Sequence, residues 1–128
     1  MICKKDSNTY VIVYNGQLYN TKELREELEA DNFTFESYSD TEVLLKSYIN
    51  FGYNVVNKLN GIFSFAIWDS NKKELFMARD HFGVKPFYYS IIDETLVFAS
   101  EVKALFKYPG IKAKIDSEGI AELFGLRT

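Results

Sequence analysis

The apolar pattern at the start of the chain is that of a strand. Residues 9–14, TYVIVY, are β-branched or aromatic and almost wholly apolar, which predicts a strand buried on both faces or nearly so. The run ends at Asn15-Gly16, a pair common in tight turns because glycine adopts a positive φ without strain. We therefore expect the strand to end there in a turn.

Helical periodicity follows over residues 21–30. Leu24 and Leu28 lie four residues apart and form one apolar stripe, and Asn20 offers an N-cap. The next run, FTFES, alternates two phenylalanines with polar residues, which indicates a short extended piece.

A second helical segment starts at Ser39. Ser39 and Glu42 have the spacing of a capping box. The run VLLKSYINFGYNVVNKL then carries apolar residues at helical spacing and is interrupted by Gly52. We expect two helices that meet near that glycine.

The second half of the chain is typical of hairpins followed by helices. Two apolar runs flank the polar turn at 69–72, which predicts a β-hairpin over residues 61–80. Further elements are expected as strands near 86–92 and 95–99, a short helix in EVKALFK and a final helix capped by Asp116 or Ser117. Together they predict one α+β domain over residues 1–128.

The composition excludes several classes of protein. A chain of 128 residues with 47% hydrophobic residues suits one domain with a sizeable core, and a net charge of −3 gives no electrostatic case for nucleic acid or an anionic membrane. No apolar run reaches the roughly 20 residues of a membrane span. A single cysteine excludes an internal disulfide framework and favours a reducing compartment, the cytoplasm.

Two short motifs offer candidate chemistry. The side-chain amide of Asn15 and the backbone N–H of Gly16 could both donate to a developing oxyanion, although a plain turn is the simpler explanation of the pair. Asp40, in the run SDTE, caps a helix start where the helix dipole holds it ionised. Such a carboxylate is also able to bind the ammonium group of a ligand.

Other reactive residue types have structural explanations. Arg79 and Asp80 follow an apolar strand and are interpreted as an Arg–Asp pair that holds the corners of a hairpin connection. The single histidine, His81, is expected to be exposed on that loop. Cys3 has no neighbour that would activate it as a nucleophile, so it is interpreted as a small hydrophobe or an exposed thiol. No zinc-type cluster, P-loop or GxGxxG occurs, so no metal site is predicted.

Five blocks occur in order with compact gaps: NGQLYNTKELREEL, SDTEVLLKSY, LNGIFSFAIWD, ARDHFGVKPFYY and FASEVKAL. Together they resemble the class II glutamine amidotransferase domain of glutamine-hydrolysing asparagine synthetases, over about residues 10–124. The resemblance implies an N-terminal-nucleophile hydrolase fold, an αββα sandwich of antiparallel sheets, here incomplete at its N-terminus. Amidotransferases of purine and amino-sugar synthesis share the first two blocks and usually differ in the later ones.

The resemblance implies roles for four residues. Asn15 and Gly16 match the family's oxyanion hole, and Asp40 matches the carboxylate that holds the α-ammonium group of glutamine. Gln17 stands where the family usually has a glutamate that helps to hold the same group. One charged contact with the substrate is therefore expected to be lost.

The resemblance also implies parts that this sequence does not match. The family begins with a nucleophilic cysteine directly after the initiator methionine and carries an RGPD-like segment before the Asn-Gly pair. Cys3 lies only twelve residues before Asn15, which leaves no room for that segment. We therefore expect the chain to be inactive alone, and to self-associate through a strand edge that missing strands would cover.

The function implied is part of a glutaminase domain that releases ammonia from glutamine for ATP-dependent asparagine synthesis. ATP and magnesium are expected only in a separate synthetase domain, which would be the partner of this chain, and no cofactor is expected here. Two alternatives stay open: a non-catalytic amidotransferase-like scaffold or binding module, and the glutaminase domain of another class II amidotransferase.

Overall fold

The computed structural model describes residues 1–114 and 117–125, and the chain divides into two compact units, Met1–Phe87 and Tyr88–Thr128. The strands of the described residues are β1 (Ile2–Lys5), β2 (Asn8–Leu18), β3 (Gly61–Asp69), β4 (Glu74–Arg79), β5 (Tyr88–Ile92) and β6 (Thr95–Ala99). The helices are α1 (Thr21–Ala30), α2 (Asp40–Phe51), α3 (Val102–Leu105) and α4 (Ser117–Gly125), with a 3-10 helix at Gly52–Asn57.

The first unit contains a four-stranded antiparallel sheet in the order β1-β2-β3-β4. Strand β1 has no counterpart in the sequence predictions. It joins β2 through Asp6 and Ser7, which have φ values of 50° and 67°. Paired residues with positive φ form the tight hairpin turn that suits the twist of the flanking strands. The predicted hairpin over 61–80 is confirmed by β3 and β4.

One face of this sheet packs against α1 and α2 to form the core. The predicted stripe of α1 is confirmed, because Leu24 is 3% exposed and Leu28 is fully buried. The other buried hydrophobic residues of this cluster are Ile12, Leu18, Val43, Leu44, Leu45, Tyr48, Val55, Phe63, Phe65 and Ile67. Gly52 has a φ of 58° and separates α2 from the 3-10 helix, which confirms the predicted break between two helices.

Strand β2 differs from its prediction in length and in burial. It continues through Asn15 and Gly16 to Leu18, so the predicted turn is wrong, and the φ of Gly16 is not positive. The strand is also not buried on both faces, because Ile12 is buried whereas Val13 is 53% exposed. The side chains alternate between the helix layer and a face, here called the open face, that includes Val13, Ala66 and Met77 in one row.

Two predicted caps differ from the observed contacts. Asn20 precedes α1 but makes no cap hydrogen bond; its side chain donates to the carbonyl of Lys58 and accepts from the N–H of Asn60. Ser39 does cap α2 by accepting from the N–H of Glu42, yet the carboxylate of Glu42 does not complete the capping box and accepts from other groups. The FTFES run, predicted as a short extended piece, joins no sheet, and both of its phenylalanines, Phe33 and Phe35, pack against the core.

The second unit contains the antiparallel pair β5 and β6, joined at Asp93 and Glu94 as predicted. Both turn residues have positive φ, 46° and 64°. The short helix α3 follows, and α4 begins at Ser117. The alternative cap of that helix, Asp116, lies outside the described residues.

Candidate active site

The backbone groups of β2 alternate between its two edges, and this alternation directs Gly16 outward. Ile12 exchanges two hydrogen bonds with Met1 at 2.9 Å, and the N–H of Leu18 leaves the same edge. In an antiparallel strand every second residue faces the same edge, so Gly16 directs its N–H and carbonyl away from β3. Among the described residues no strand covers this edge beyond Ile12.

Gly16 lies opposite Phe63 of β3, and the two backbones approach closely. A Cβ added to Gly16 would lie 2.3 Å from the carbonyl oxygen of Ile62 and 2.7 Å from the Cα of Phe63. A pair that does not exchange hydrogen bonds has the shorter Cα separation in an antiparallel ladder. Glycine is therefore required here for close approach to β3 and not for a turn.

Asn15 lies on the open face and is exposed, next to the outward N–H of Gly16. Its partner across the ladder is Ser64, which is buried and donates from Oγ to the carbonyl of Pro86 at 3.2 Å. An amide side chain and a backbone N–H on consecutive residues thus meet solvent at one end of β2. Backbone N–H groups and asparagine amides are among the donors that form oxyanion holes.

Asp40 sits at the same edge, as the first residue of α2. Its Oδ2 accepts from the hydroxyl of Tyr14 at 2.9 Å and from the N–H of Leu18 at 3.2 Å. Leu18 is two residues from Gly16, so the two N–H groups are about 7 Å apart along the strand. A carboxylate and an outward N–H therefore share one edge at a separation comparable to the length of a glutamine side chain.

Tyr14 is the residue of this site that the sequence did not single out. Burial raises the pKa of its phenol, and the hydrogen bond to Asp40 adds to this shift, so the side chain stays a donor. An apolar strand pattern gives no signal for this role, since the contact joins residues 26 positions apart.

The start of α2 is held by Glu42, which is 5% exposed. Its carboxylate accepts from the N–H groups of Glu36 and Ser37 at 2.9 and 2.8 Å and from the ammonium of Lys46 at 2.5 Å. Burial alone raises the pKa of this carboxyl, but the hydrogen bonds from Lys46 and from the 36–37 segment outweigh it and lower the pKa to about 2. Glu42 therefore fixes the helix end that carries Asp40.

As predicted, Arg79 and Asp80 hold the loop after β4. Each binds backbone groups of the loop instead of the other residue, and β4 and β5 lie in different sheets, so the predicted hairpin connection is wrong. Asp80 is buried and accepts from the N–H groups of Phe63, Val84 and Lys85 at 3.0–3.2 Å. Burial raises the pKa of Asp80, and these backbone donors outweigh it and lower the pKa overall. Arg79 donates to the carbonyls of Gly83 and Lys85 at 2.5 Å. Because Asp80 binds Phe63, the loop also secures the strand opposite Gly16.

The remaining candidates lie as follows. Gln17 is exposed on the open face, two residues from Asn15, and brings no charge to the site. His81 is exposed on its loop, as predicted. Cys3 is half-buried and packs against the core, which confirms the structural interpretation. Within residues 1–114 and 117–125, no cluster of three or more His, Cys, Asp or Glu suits a metal ion, and no helix is long and apolar enough to cross a membrane.

Comparison with known proteins defines the class. The chain belongs to the glutamine amidotransferase domain family, which matches residues 2–128. A solved structure of glutamine phosphoribosylpyrophosphate amidotransferase from B. subtilis, complexed with ADP and GMP, superimposes with a TM-score of 0.71 at 26% identity, covering 83% of this chain and 25% of that one. The fold is therefore the α+β fold of N-terminal-nucleophile amidotransferases, with antiparallel sheets as predicted.

Within this class the chain is similar to asparagine synthetases. It is 52% identical over 98% of its length to glutamine-hydrolysing asparagine synthetase 3 of Bacillus subtilis, of which it covers 20%. It is 38% identical over 94% of its length to a putative glutamine-hydrolysing asparagine synthetase 2 of Methanocaldococcus jannaschii, of which it covers 23%. The chain thus spans about a fifth of the length of these relatives, and the resemblance to the amidotransferase part of asparagine synthetases is confirmed.

Proposed function

We propose that residues 1–128 form part of a glutaminase site that hydrolyses the side-chain amide of glutamine to glutamate and ammonia. The observation that carries this proposal is the edge of β2. The outward N–H of Gly16 lies two residues along the strand from Leu18, whose N–H binds the carboxylate of Asp40. One group suits the reacting end of glutamine and the other suits its α-ammonium end.

At the reacting end, attack on the amide carbon places negative charge on the carbonyl oxygen. The amide of Asn15 and the N–H of Gly16 stabilise that oxyanion, because both donors are held by a paired strand before the substrate arrives. The attacking thiolate is assigned to the N-terminal cysteine expected for the family. Cys3 is a poor substitute, since it is half-buried and packs against the core. We therefore propose that residues 1–128 alone release no glutamate.

At the other end, Asp40 holds the α-ammonium group of glutamine. Its carboxylate is fixed by Tyr14 and by the backbone of Leu18, and helix α2 begins at this residue. Gln17, whose side chain is exposed on the open face, contributes no charge. Among these substrate-binding residues, only Asp40 then carries a negative charge for the α-ammonium group. Glutamine is therefore bound more weakly than by a pair of carboxylates.

The ammonia released is proposed to serve asparagine synthesis in a longer protein of this kind. The support is the identity of 52% to an asparagine synthetase of which this chain covers a fifth. ATP, magnesium and the acceptor of the ammonia are assigned to the synthetase part of such a protein, with the cytoplasm as its compartment. Of the ligands of asparagine synthesis, only glutamine is proposed to bind to residues 1–128.

Gln17 favours a second candidate function, a non-catalytic amidotransferase-like module that binds amino acids. The missing negative charge at this position weakens substrate binding without affecting the oxyanion donors. This candidate and the glutaminase differ in one observable, the release of glutamate. A glutaminase domain serving another acceptor would release glutamate as well and would differ only in the product that receives the ammonia.

The test is a glutaminase assay on the longest native polypeptide that carries residues 1–128. We expect Asn15→Ala to lower kcat by about 10²–10³-fold, because one oxyanion donor is lost. Asn54→Ala is the matched control, since Asn54 is exposed on the 3-10 helix, and should leave kcat unchanged. No glutamate release by the unaltered polypeptide, with glutamate still bound, would favour the non-catalytic module.

A further inference from the structure

Among the residues that the structure describes, the hydrogen bonds to the carboxylate of Asp40 fall on one of its two oxygens. Tyr14 and the N–H of Leu18 both donate to Oδ2, at 2.9 and 3.2 Å. Within the part of the chain that the structure describes, no hydrogen bond reaches Oδ1. An ionised carboxylate has about four acceptor positions shared between two oxygens. Oδ2 is therefore occupied by the protein, and Oδ1 keeps its acceptor positions for a ligand.

Tyr14 is held in place by elements independent of any ligand. It is half-buried on the helix-facing side of β2, and its backbone is paired with Phe65 of β3, which is 1% exposed. The ring cannot leave this side without a shift of the strand register. The hydroxyl is thus a fixed donor, and it is the only side chain among the described residues that donates to Asp40.

We propose that Tyr14 is a positioning residue that orients Asp40 so that Oδ1 faces the α-ammonium group of the amino-acid substrate. This inference rests on the proposed function, and it names the side chain that sets the selectivity of the site for α-amino acids. Gln17 brings no charge, so the recognition of the ammonium group depends on the orientation of a single carboxylate. Loss of the hydroxyl frees the carboxylate to rotate and to be solvated.

The experiment compares two ligands that differ in the α-ammonium group alone. L-glutamate carries that group and glutarate lacks it, and neither is turned over. Dissociation constants are measured by calorimetry on the longest native polypeptide with residues 1–128, unaltered and with Tyr14→Phe. Tyr10→Phe is the matched control, because Tyr10 lies on the same face of β2 and its ring packs edge-on against Tyr48.

The expected result is a change in preference and not in overall binding. The unaltered protein binds glutamate more tightly than glutarate. Tyr14→Phe reduces that preference by about tenfold, the effect of one hydrogen bond to a charged group, and leaves the affinity for glutarate within about twofold. Tyr10→Phe leaves both dissociation constants unchanged.

Three results would overturn the inference: no preference in the unaltered protein, an unchanged preference in Tyr14→Phe, or equal weakening of both ligands, which indicates a purely structural role. The glutaminase assay separates this inference from the proposed function. Glutamate release together with an unchanged preference in Tyr14→Phe contradicts the inference alone. A preference that depends on Tyr14 in a protein that releases no glutamate contradicts the glutaminase alone.

Discussion

At the scale of single residues, Gly16 shows why one position of the Asn-Gly pair must be glycine. A side chain at this position would collide with the backbone of β3, 2.3 Å from the carbonyl oxygen of Ile62. Gly16 and Phe63 form a pair that exchanges no hydrogen bonds. In such a pair the N–H of Gly16 points away from β3, and the short Cα separation leaves no space for a Cβ. The chemistry of the edge and the packing of the sheet are therefore inseparable here.

We expect Gly16→Ala to destabilise the first unit by about 1–3 kcal/mol, because the added methyl group has no space. Urea unfolding followed by the fluorescence of Trp68, the single tryptophan, measures this. The control is Gly125→Ala in α4, where an added Cβ meets nothing within 4 Å among the residues that the structure describes. A transition that is the same for Gly16→Ala and the unaltered chain would contradict the close approach described for Gly16.

At this scale the sequence offers Asn15 and Gly16 as candidate residues, and the structure places them within a strand instead of the predicted turn. Asn15 and Gly16 were recognised, but a polar pair after an apolar run was interpreted as a turn. The strand in fact continues, because its backbone stays paired with β3 as far as Leu18 and the polar side chains of Asn15 and Gln17 lie on its exposed face. Tyr14 was missed because its partner, Asp40, is distant in sequence, and an apolar pattern holds no information about such a contact.

At the scale of elements, the start of α2 is secured by a buried carboxylate. Glu42 accepts from two backbone N–H groups, from the hydroxyl of Ser37 and from Lys46. Spacing predicted Glu42 as half of a capping box, and the helix start was correct. Its real partners could not be predicted, because the irregular segment before the helix folds back onto it.

The lowered pKa of Glu42 implies a loss of stability in acid. The folded pKa, about 2, lies below the ordinary value of 4.5. The stabilisation is therefore complete above about pH 5 and is lost as the pH falls through 4.5 towards 2. We expect Glu42→Gln to lower the free energy of unfolding by roughly 2–3 kcal/mol at neutral pH, with the difference vanishing near pH 2.

Urea titrations between pH 2 and pH 7 measure this difference. Glu29→Gln is the matched control, since Glu29 is an exposed carboxylate on α1. This substitution should leave the free energy of unfolding unchanged at every pH. If Glu42→Gln showed a constant difference across this range, the stabilisation would not depend on the ionised carboxylate.

Strand β1 is an element that the local sequence pattern does not predict. The run ICKK is too short and too mixed for a periodicity to be recognised, and its turn at Asp6 and Ser7 contains no glycine. The helices α1 and α2 were predictable because several turns of apolar spacing support each of them. Short edge strands depend on their partner for stability, so the sequence of the strand itself carries little signal.

At the scale of the whole molecule, the first unit exposes apolar surface on one face of its sheet. Ile2, Val13 and Trp68 are 65%, 53% and 40% exposed, and the edge of β2 beyond Ile12 has no neighbouring strand among the described residues. An uncovered edge next to apolar side chains promotes pairing between chains. We propose that residues 1–128 self-associate through this face and edge.

Light scattering at micromolar concentration should give a mass of at least two chains. Val13→Lys should restore a monomer, because it places a charge at the centre of the open face. Val84→Lys is the matched control, since Val84 has the same exposure of 53% but lies on the loop after β4. A monomeric mass for the unaltered chain would count against self-association.

The placement of Gly16 on a paired strand also has a thermal consequence. A donor on a flexible turn loses its geometry well before a protein melts, because loops open at a lower free-energy cost than sheets. The Gly16 donor instead shares the cooperative unit of β2 and β3. On heating, the geometry of the proposed oxyanion hole should persist until the sheet itself unfolds. In the longest native polypeptide that carries residues 1–128, the loss of glutaminase activity and the melting of this sheet should therefore share a single midpoint temperature.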